Sequence, residues 1–111
     1  MQSNVSQYLP LTETTFYTLL ALVQPLHGYA VMQQVETLSE GTVKLGPGTL
    51  YGAFSSLEKE GLIVKVKEEE RRKSYTLTPK GSQVLAEQIH RYQIMVRSGL
   101  EVMGSQTESQ P

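Results

Sequence analysis

The stretch LGPGTLYGAFSSLEKEGLI, from Leu45 to Ile63, carries the pattern that decides the fold. A proline just inside a helix start, with glycine at the cap position, predicts that a helix begins near Pro47. Gly61 is placed to end this helix, because glycine adopts the left-handed conformation that follows many helix C-termini. The apolar positions repeat with helical spacing and form one stripe: Leu50, Ala53, Phe54 and Leu57.

The face opposite this stripe carries glycine and serine where a solvent-exposed helix usually carries charge. A mid-helix glycine such as Gly52 costs about 0.5 to 1 kcal/mol relative to alanine, which makes sense where another body must approach the backbone. Such a face suits a helix that enters a DNA major groove, about 12 Å wide. A merely tolerated polar surface is the alternative. The candidate DNA contacts on this helix are Gly48, Thr49, Tyr51, Gly52, Ser55, Ser56 and Lys59.

Two further helices are predicted upstream. Thr12 is a suitable N-cap for the first, which continues as an amphipathic pattern until the proline and glycine of QPLHG, residues 24–28. A second helix starts at about Tyr29. The run TVKL, residues 42–45, is predicted as a short extended strand between the second helix and the central one.

The residues after the central helix predict a β-hairpin. LIVKVK, residues 62–67, alternates apolar and basic side chains, and residues 74–77 form a second β-prone run. The charged EEERRK between the runs is the expected turn, and its cations are candidate contacts to DNA phosphates or the minor groove: Arg71, Arg72 and Lys73. A solvated turn without a partner is the alternative for this charge run. Three short helices followed by a hairpin with a basic tip form a winged helix, mainly α with a small β-hairpin, whose second and third helices are a helix-turn-helix.

The longest periodic segment is C-terminal, and Thr78 and Pro79 repeat the cap-then-proline start of a helix. Its apolar residues recur at steps of three and four, close to a coiled-coil seam, which predicts a helix that dimerises. The predicted dimer seam comprises Leu85, Ile89, Tyr92, Val96, Leu100 and Met103. Tyr92 is also a candidate effector contact, because an aromatic ring in a dimer seam can stack on an apolar molecule.

The chain is therefore predicted to have four parts. They are an N-terminal arm over residues 1–10, a winged-helix DNA-binding domain over 11–78, a C-terminal dimerisation helix over 79–103 and a disordered tail over 104–111. At 111 residues the chain fits one domain whose modest core a second copy could enlarge.

Composition removes several classes of function. Cysteine is absent and all eleven acidic residues are glutamate, which excludes disulfides, thiolate metal sites and a Ser-His-Asp relay. The two histidines, His27 and His90, lie far apart in the sequence, so no metal or other cofactor is predicted and the chain is not expected to be an enzyme. The absence of a signal-like start and of a long apolar run predicts a cytoplasmic protein without a membrane partner.

The charge is unevenly distributed along the chain. The formal net charge is −1, but residues 44–80 hold eight basic against five acidic side chains. The positive field is therefore confined to the central helix and the hairpin, where the candidate DNA contacts lie.

Four short motifs stand in order along the chain: HGY at 27–29, PGTLY at 47–51, LEKEGLI at 57–63 and RKSYTLT at 72–78. They resemble the successive signatures HGY, PGTLY, LExxGLI and R-K-x-Y-x-L-T of the PadR-like transcriptional regulators. The resemblance implies a DNA-binding homodimer, usually a repressor and often released by a small effector. The single C-terminal helix resembles the short subfamily, whose members dimerise through that helix.

The partners implied by this resemblance are double-stranded DNA with a pseudo-palindromic operator, a second copy of the chain and a small aromatic or apolar effector. Family members commonly carry basic residues on the outer face of the recognition helix, where this sequence has Gly52, Ser55 and Ser56. Direct reading of guanine by Arg or Lys from these positions is therefore not expected.

A winged-helix module that binds another protein, without DNA specificity, is the rival interpretation. The two differ in salt dependence, because binding through phosphate contacts weakens steeply with salt whereas an apolar protein interface does not.

Overall fold

The structure, a computed structural model, describes residues 5–69 and 72–108. In chain order the elements are a 3₁₀ turn (Val5–Tyr8), α1 (Glu13–Ala21), β1 (Leu26–His27), α2 (Gly28–Leu38), α3 (Pro47–Lys59), β2 (Ile63–Glu69), β3 (Arg72–Leu77) and α4 (Pro79–Glu108). The three strands form one antiparallel sheet in the order β1-β3-β2. The predicted winged helix-turn-helix with a long C-terminal helix is confirmed, with α2 and α3 as the helix-turn-helix and β2–β3 as the wing.

The ends of α1 and α3 follow the predicted capping chemistry. Thr12 is the N-cap of α1, and its hydroxyl accepts a hydrogen bond from the Thr15 N–H at 3.1 Å. α3 begins at Pro47 and stops before Gly61, which has a φ of +77°. The N–H of Leu62 then donates to the Leu57 carbonyl at 2.9 Å, which completes a Schellman motif.

The predicted strand at residues 42–45 is wrong. Val43 is buried, and its N–H donates to the Ser39 hydroxyl at 3.0 Å, so this segment is a loop closed on the end of α2. The third strand is instead β1, where Leu26 pairs with Tyr75 and His27 with Ser74. A strand of two residues is too short to show an alternating sequence pattern. It is recognised only by its pairing with β3.

The core lies between α1, α2, α3, the wing base and the start of α4. Its fully buried aliphatic side chains are Leu19, Leu22, Val31, Val35, Leu50, Leu62, Ile63 and Val84. The rings of Phe54 and Tyr75 pack at a tilt of 45°, with their centroids 4.8 Å apart, and join α3 to β3. The apolar stripe of α3 is thus covered on the inside, and its other face points outward.

The N-terminal segment is more ordered than predicted. The predicted arm over 1–10 contains the turn Val5–Tyr8, whose partly buried apolar side chains pack against the core. Gln88 of α4 is buried, and its side-chain oxygen accepts a hydrogen bond from the Leu11 N–H at 2.6 Å. Residues 1–4 of the predicted arm lie outside the described residues.

The C-terminal helix is longer than predicted. α4 reaches Glu108, five residues past the expected end at Met103. Residues 104–108 contain no proline, and adding a residue to an existing helix fixes only that residue, so propagation continues where no breaker intervenes. The remainder of the predicted tail, 109–111, lies outside the described residues.

A compact junction ties the end of α3 to the start of α4. The Thr78 hydroxyl donates to the Gly61 carbonyl at 2.6 Å and accepts from the Gly81 N–H at 3.0 Å. Lys80 donates to the Glu60 carbonyl at 3.1 Å. The backbones touch at Gly81, where an added Cβ would overlap the Leu62 carbonyl oxygen.

Within the ranges 5–69 and 72–108, no helix combines the length and hydropathy that crossing a bilayer requires.

Candidate nucleic-acid interface

The outer face of α3 is exposed as the sequence predicts. Its buried residues are Leu50, Phe54 and Leu57, with Ala53 half-buried beside them. All seven candidate contacts on this helix are exposed: Gly48, Thr49, Tyr51, Gly52, Ser55, Ser56 and Lys59. Their contact with DNA stays a prediction, but the folded subunit leaves them accessible.

The fold itself does not require the glycines on this face. A Cβ added at Gly48 or at Gly52 would meet no atom within 4 Å. Neither residue has a positive φ, in contrast to Gly61 at the helix end. Gly52 therefore lowers helix stability without helping the subunit pack, as expected where the backbone must be approached from outside.

Tyr51 connects α3 to the start of α2. Its ring lies over Gly28 and packs edge-on against Phe54, with ring centroids 6.0 Å apart. The side chain is nevertheless 54% exposed. Tyr51 thus packs against Gly28 and is also partly exposed at the surface. Through this contact the PGTLY motif meets the HGY motif.

A groove of about 530 Å³ runs along this interface. It brings together the first turn of α2, the outer face of α3 and strand β3. Its lining is His27, Gly28, Tyr29, Tyr51, Phe54, Ser55, Arg72, Lys73 and Tyr75. Four of the predicted contacts, Tyr51, Ser55, Arg72 and Lys73, therefore share one surface.

Sequence reasoning missed His27 and Tyr29 as residues of this surface. Tyr29 is 62% exposed and His27 half-buried, and both stand where β1 turns into α2. The HGY motif was recognised in the sequence, but its position beside the wing follows only from the pairing of His27 with Ser74.

The two strands of the wing differ in the state of their cations. On β2, Lys65 pairs with Glu68 at 3.2 Å and Lys67 with Glu69 at 3.3 Å. On β3, Arg72 and Lys73 are exposed and have no ion pair within residues 5–69 and 72–108. The third predicted wing cation, Arg71, lies outside the described residues. Glu69 and Glu68 face Arg72 and Lys73 across the ladder without forming an ion pair, so the β3 side of the wing presents two cations next to the groove that have no salt bridge among the described residues.

Tyr75 forms the floor of this groove. Burial raises the pKa of its phenol above the usual 10.0, and the negative charge of Glu58 adds to the effect.

One member of the predicted dimer seam is wrong, and the role of the others stays a prediction. Leu85 is buried in the core of its own subunit, at 5% exposure, and cannot line a dimer interface. Helical spacing identifies an apolar face but not the body that covers it. The other members lie beyond the covered part of α4, where Ile89, Val96, Leu100 and Met103 are exposed and Tyr92 is half-buried.

The exposed apolar face of α4 is wider than a coiled-coil seam. The core-facing side at Gln88 continues, at seven-residue steps, through Met95 and Val102. Met95 is 55% and Val102 64% exposed, because α4 extends beyond the domain that covers its first turns. Sequence reasoning missed these two residues by keeping to a strict seam.

Phe16 of α1 extends this apolar surface next to Tyr92, with the rings edge-on and their centroids 5.0 Å apart. The pair borders a shallow depression of about 520 Å³. Its other lining residues are Ile89, Gln93, Val96, Arg97 and Leu100. Burial raises the pKa of the Tyr92 phenol above 10.0, and the negative charge of Glu13 is the next cause.

Two curated proteins are similar to part of this chain. The chain is 41% identical over 66 residues to an uncharacterized 37.1 kDa protein in transposon TN4556 of Streptomyces fradiae, which covers 60% of this chain and 19% of that protein. It is 34% identical over 61 residues to the transcriptional regulator YqjI of Escherichia coli (strain K12), over 55% of this chain and 30% of that protein. The chain thus spans less than a third of the length of these relatives.

A solved structure extends the similarity to most of the chain. A padr family transcriptional regulator from Eggerthella lenta DSM 2243 has a TM-score of 0.64 and 25% sequence identity, over 88% of this chain and 86% of that one. The transcriptional regulator PadR-like family matches residues 7–87, from the N-terminal turn through the wing into α4. This chain therefore belongs to the PadR-like family of transcriptional regulators.

Proposed function

We propose that this chain is a sequence-specific DNA-binding regulator that acts as a homodimer and represses transcription from a pseudo-palindromic operator. The observation that carries the proposal is the continuous surface of α3 and β3, where a bare helix face adjoins Arg72 and Lys73, which have no salt bridge among the described residues. A helix face of this kind enters a major groove, while cations on a wing hold the flanking phosphates. No catalytic step belongs to this function.

Base reading is assigned to the first turns of α3. Thr49, Tyr51 and Ser55 are exposed there and offer hydroxyls and a methyl group to base edges. Lys59 is the only cation of this face and stands in the last turn. Specificity must therefore include the shape and deformability of the operator in addition to hydrogen bonds to bases.

Dimerisation is assigned to the exposed apolar face of α4. On this face Ile89, Met95, Val96, Leu100 and Val102 are between 37% and 70% exposed in the single subunit. A second copy would bury them, and a two-fold dimer would present two copies of α3 to two operator half-sites. The division into a winged-helix domain up to residue 78 and a dimerising helix after it belongs to the same proposal.

The depression between Phe16 and Tyr92 is the proposed place of a small effector. It is apolar and aromatic, and it adjoins the residues that would meet at the dimer interface. An aromatic or apolar molecule that stacks on Tyr92 there would change how the two subunits fit.

The test is selection of bound duplexes from a random-sequence pool by the purified full chain, followed by binding titrations on the recovered site. Recovery of one symmetric motif, bound by two chains per duplex, supports the proposal. Ser55→Glu should abolish binding by placing a carboxylate against phosphates and base edges, whereas Glu60→Ala, after the last turn, should bind normally. Equal losses from both changes would mean that α3 does not enter the groove in this orientation.

The rival function is a module that binds another protein through the same face. Its supporting feature is the acidic content of β2, where Glu68 and Glu69 neutralise Lys65 and Lys67. Failure of the selection to enrich any sequence, with binding insensitive to salt, would favour this rival.

A further inference from the structure

We propose that the groove between α2, α3 and β3 holds one phosphate of the DNA backbone, with the Tyr29 hydroxyl and the Arg72 guanidinium as its two donors. The inference rests on the proposed function and goes beyond it by adding Tyr29 to the interface and by assigning a ligand to the groove. Its chemistry is that of a phosphodiester and not of a base or an apolar effector.

The first argument is the lining of the groove. Among the described residues, its two charged lining residues are both cations, Arg72 and Lys73, and none is a carboxylate. Neither cation has a salt-bridge partner in the part of the chain that the structure describes, whereas both lysines of β2 do. Glu69 and Glu68 face these cations across the ladder but do not line the groove, so an anion in the groove would meet two cationic donors and form charge-assisted hydrogen bonds with them.

The second argument is the hydrogen-bond state of Tyr29. The side-chain amide of Gln33, one turn further along α2, donates to the Tyr29 hydroxyl oxygen at 3.4 Å. This contact is long, but it uses the oxygen as acceptor and leaves the hydroxyl hydrogen to donate elsewhere. Tyr29 is exposed and lines the groove, so a phosphate oxygen there can accept that hydrogen.

The third argument is position. The groove lies between Ser55, on the face of α3 assigned to the bases, and Arg72, at the start of the wing strand. A phosphate held there sits at the edge of the major groove that α3 enters, and it fixes the register of the helix along the duplex. His27, whose side chain makes no capping bond to α2, completes the rim.

The test uses the duplex recovered by selection and a set of duplexes in which one phosphate at a time is replaced by a neutral methylphosphonate. Wild type should lose affinity strongly at one phosphate of each half-site that flanks the α3 contacts. Tyr29→Phe removes the donor and keeps the ring, and it should weaken binding to the unmodified duplex about tenfold per half-site, as for a hydrogen bond to a charged group. The variant should lose clearly less than wild type when that same phosphate is neutralised.

Tyr17→Phe is the matched control, because it removes a phenol hydroxyl from α1, away from the groove. It should bind all duplexes like wild type. Tyr29→Phe that binds like wild type, or that responds to every methylphosphonate as wild type does, overturns the phosphate site and leaves the DNA-binding function standing. A wild-type chain that binds no duplex overturns both.

Discussion

The ring of Tyr51 lies so close over Gly28 that a Cβ on this glycine would stand 2.5 Å from the Tyr51 hydroxyl oxygen and 2.9 Å from Cζ. The contact joins the two helices of the helix-turn-helix at the edge of the candidate interface. The atoms that a methyl group would meet belong to the tip of a half-exposed side chain and not to backbone. The ring can therefore move aside while the helices stay in place.

Gly28→Ala should accordingly impair DNA binding more than folding. We expect the free energy of unfolding to fall by about 1 kcal/mol, the cost of a displaced rotamer, while DNA affinity falls severalfold because Tyr51 no longer lies over α2. Urea unfolding and fluorescence anisotropy on the selected duplex measure the two effects. A loss of stability with unchanged affinity would show that the contact serves only the fold.

Gly52→Ala should separate stability from binding in the opposite direction. The added methyl meets nothing within 4 Å, so the variant should gain about 0.5 to 1 kcal/mol in the free energy of unfolding. DNA affinity should fall, because the methyl group stands on the face that approaches the duplex. Gly104→Ala, in open space on α4, is the control that should bind DNA like wild type. If Gly52→Ala binds as well as wild type, the bare face is a tolerated surface.

Val96→Glu combined with Leu100→Glu should produce monomers. Both side chains are largely exposed in the single subunit, so the charges should not disturb the fold, but they would be buried in the proposed dimer. Light scattering at micromolar concentration reports the mass. Ile94→Glu is the control on the opposite side of α4 and should leave the dimer intact. A double variant that remains dimeric would place the interface elsewhere.

Replacing the wing cations Arg71, Arg72 and Lys73 by alanine should flatten the salt dependence of DNA binding. If each subunit of a dimer contacts two or three phosphates through them, the slope of log K against log salt falls by roughly 4 to 5 units. Preference among related sequences should persist, because phosphate contacts position the protein without reading bases. Lys65→Ala with Lys67→Ala, whose cations already pair with glutamates, should change the slope less. An unchanged slope in the triple variant would mean that the wing does not touch DNA.

Stability should decline at alkaline pH through Tyr75 and Tyr92. The pKa of each phenol is raised above 10.0 by burial, so the folded chain holds the proton more tightly than the unfolded chain does. This contribution is fully present below pH 10.0 and is lost as the pH rises through the folded-state pKa values. Urea unfolding between about pH 8 and 11 should show the decline, and Tyr75→Phe should reduce it. An equal decline in the variant would assign the effect to other groups.

The sequence allowed α3 to be predicted closely, because its signals are local. Pro47 and Gly61 act on the backbone at their own positions, and the stripe through Leu50 and Phe54 follows from helical spacing alone. The exposed face opposite the stripe follows from the same spacing. These features need no knowledge of the remainder of the chain.

The features that were missed depend on contacts between distant residues. Strand β1 exists because Leu26 meets Tyr75, and the same pairing brings His27 to the groove. Leu85 has the spacing of a seam residue, but the core of its own subunit covers it. Periodicity cannot distinguish a face buried by the same chain from a face buried by a second copy.

The junction at Gly61 and Gly81 has a mechanical consequence. Hydrogen bonds from Thr78 and Lys80, together with the backbone contact of Gly81 with Leu62, leave no slack between the last turn of α3 and the first turn of α4. A helix of 30 residues is about 45 Å long. The first turn of α4 is fixed to the end of α3, and the remainder of α4 extends from this junction as a rigid rod. In the proposed dimer, a small rotation where the long arms cross would be transmitted to the distance between the two copies of α3, and hence to the half-site spacing that the pair can span.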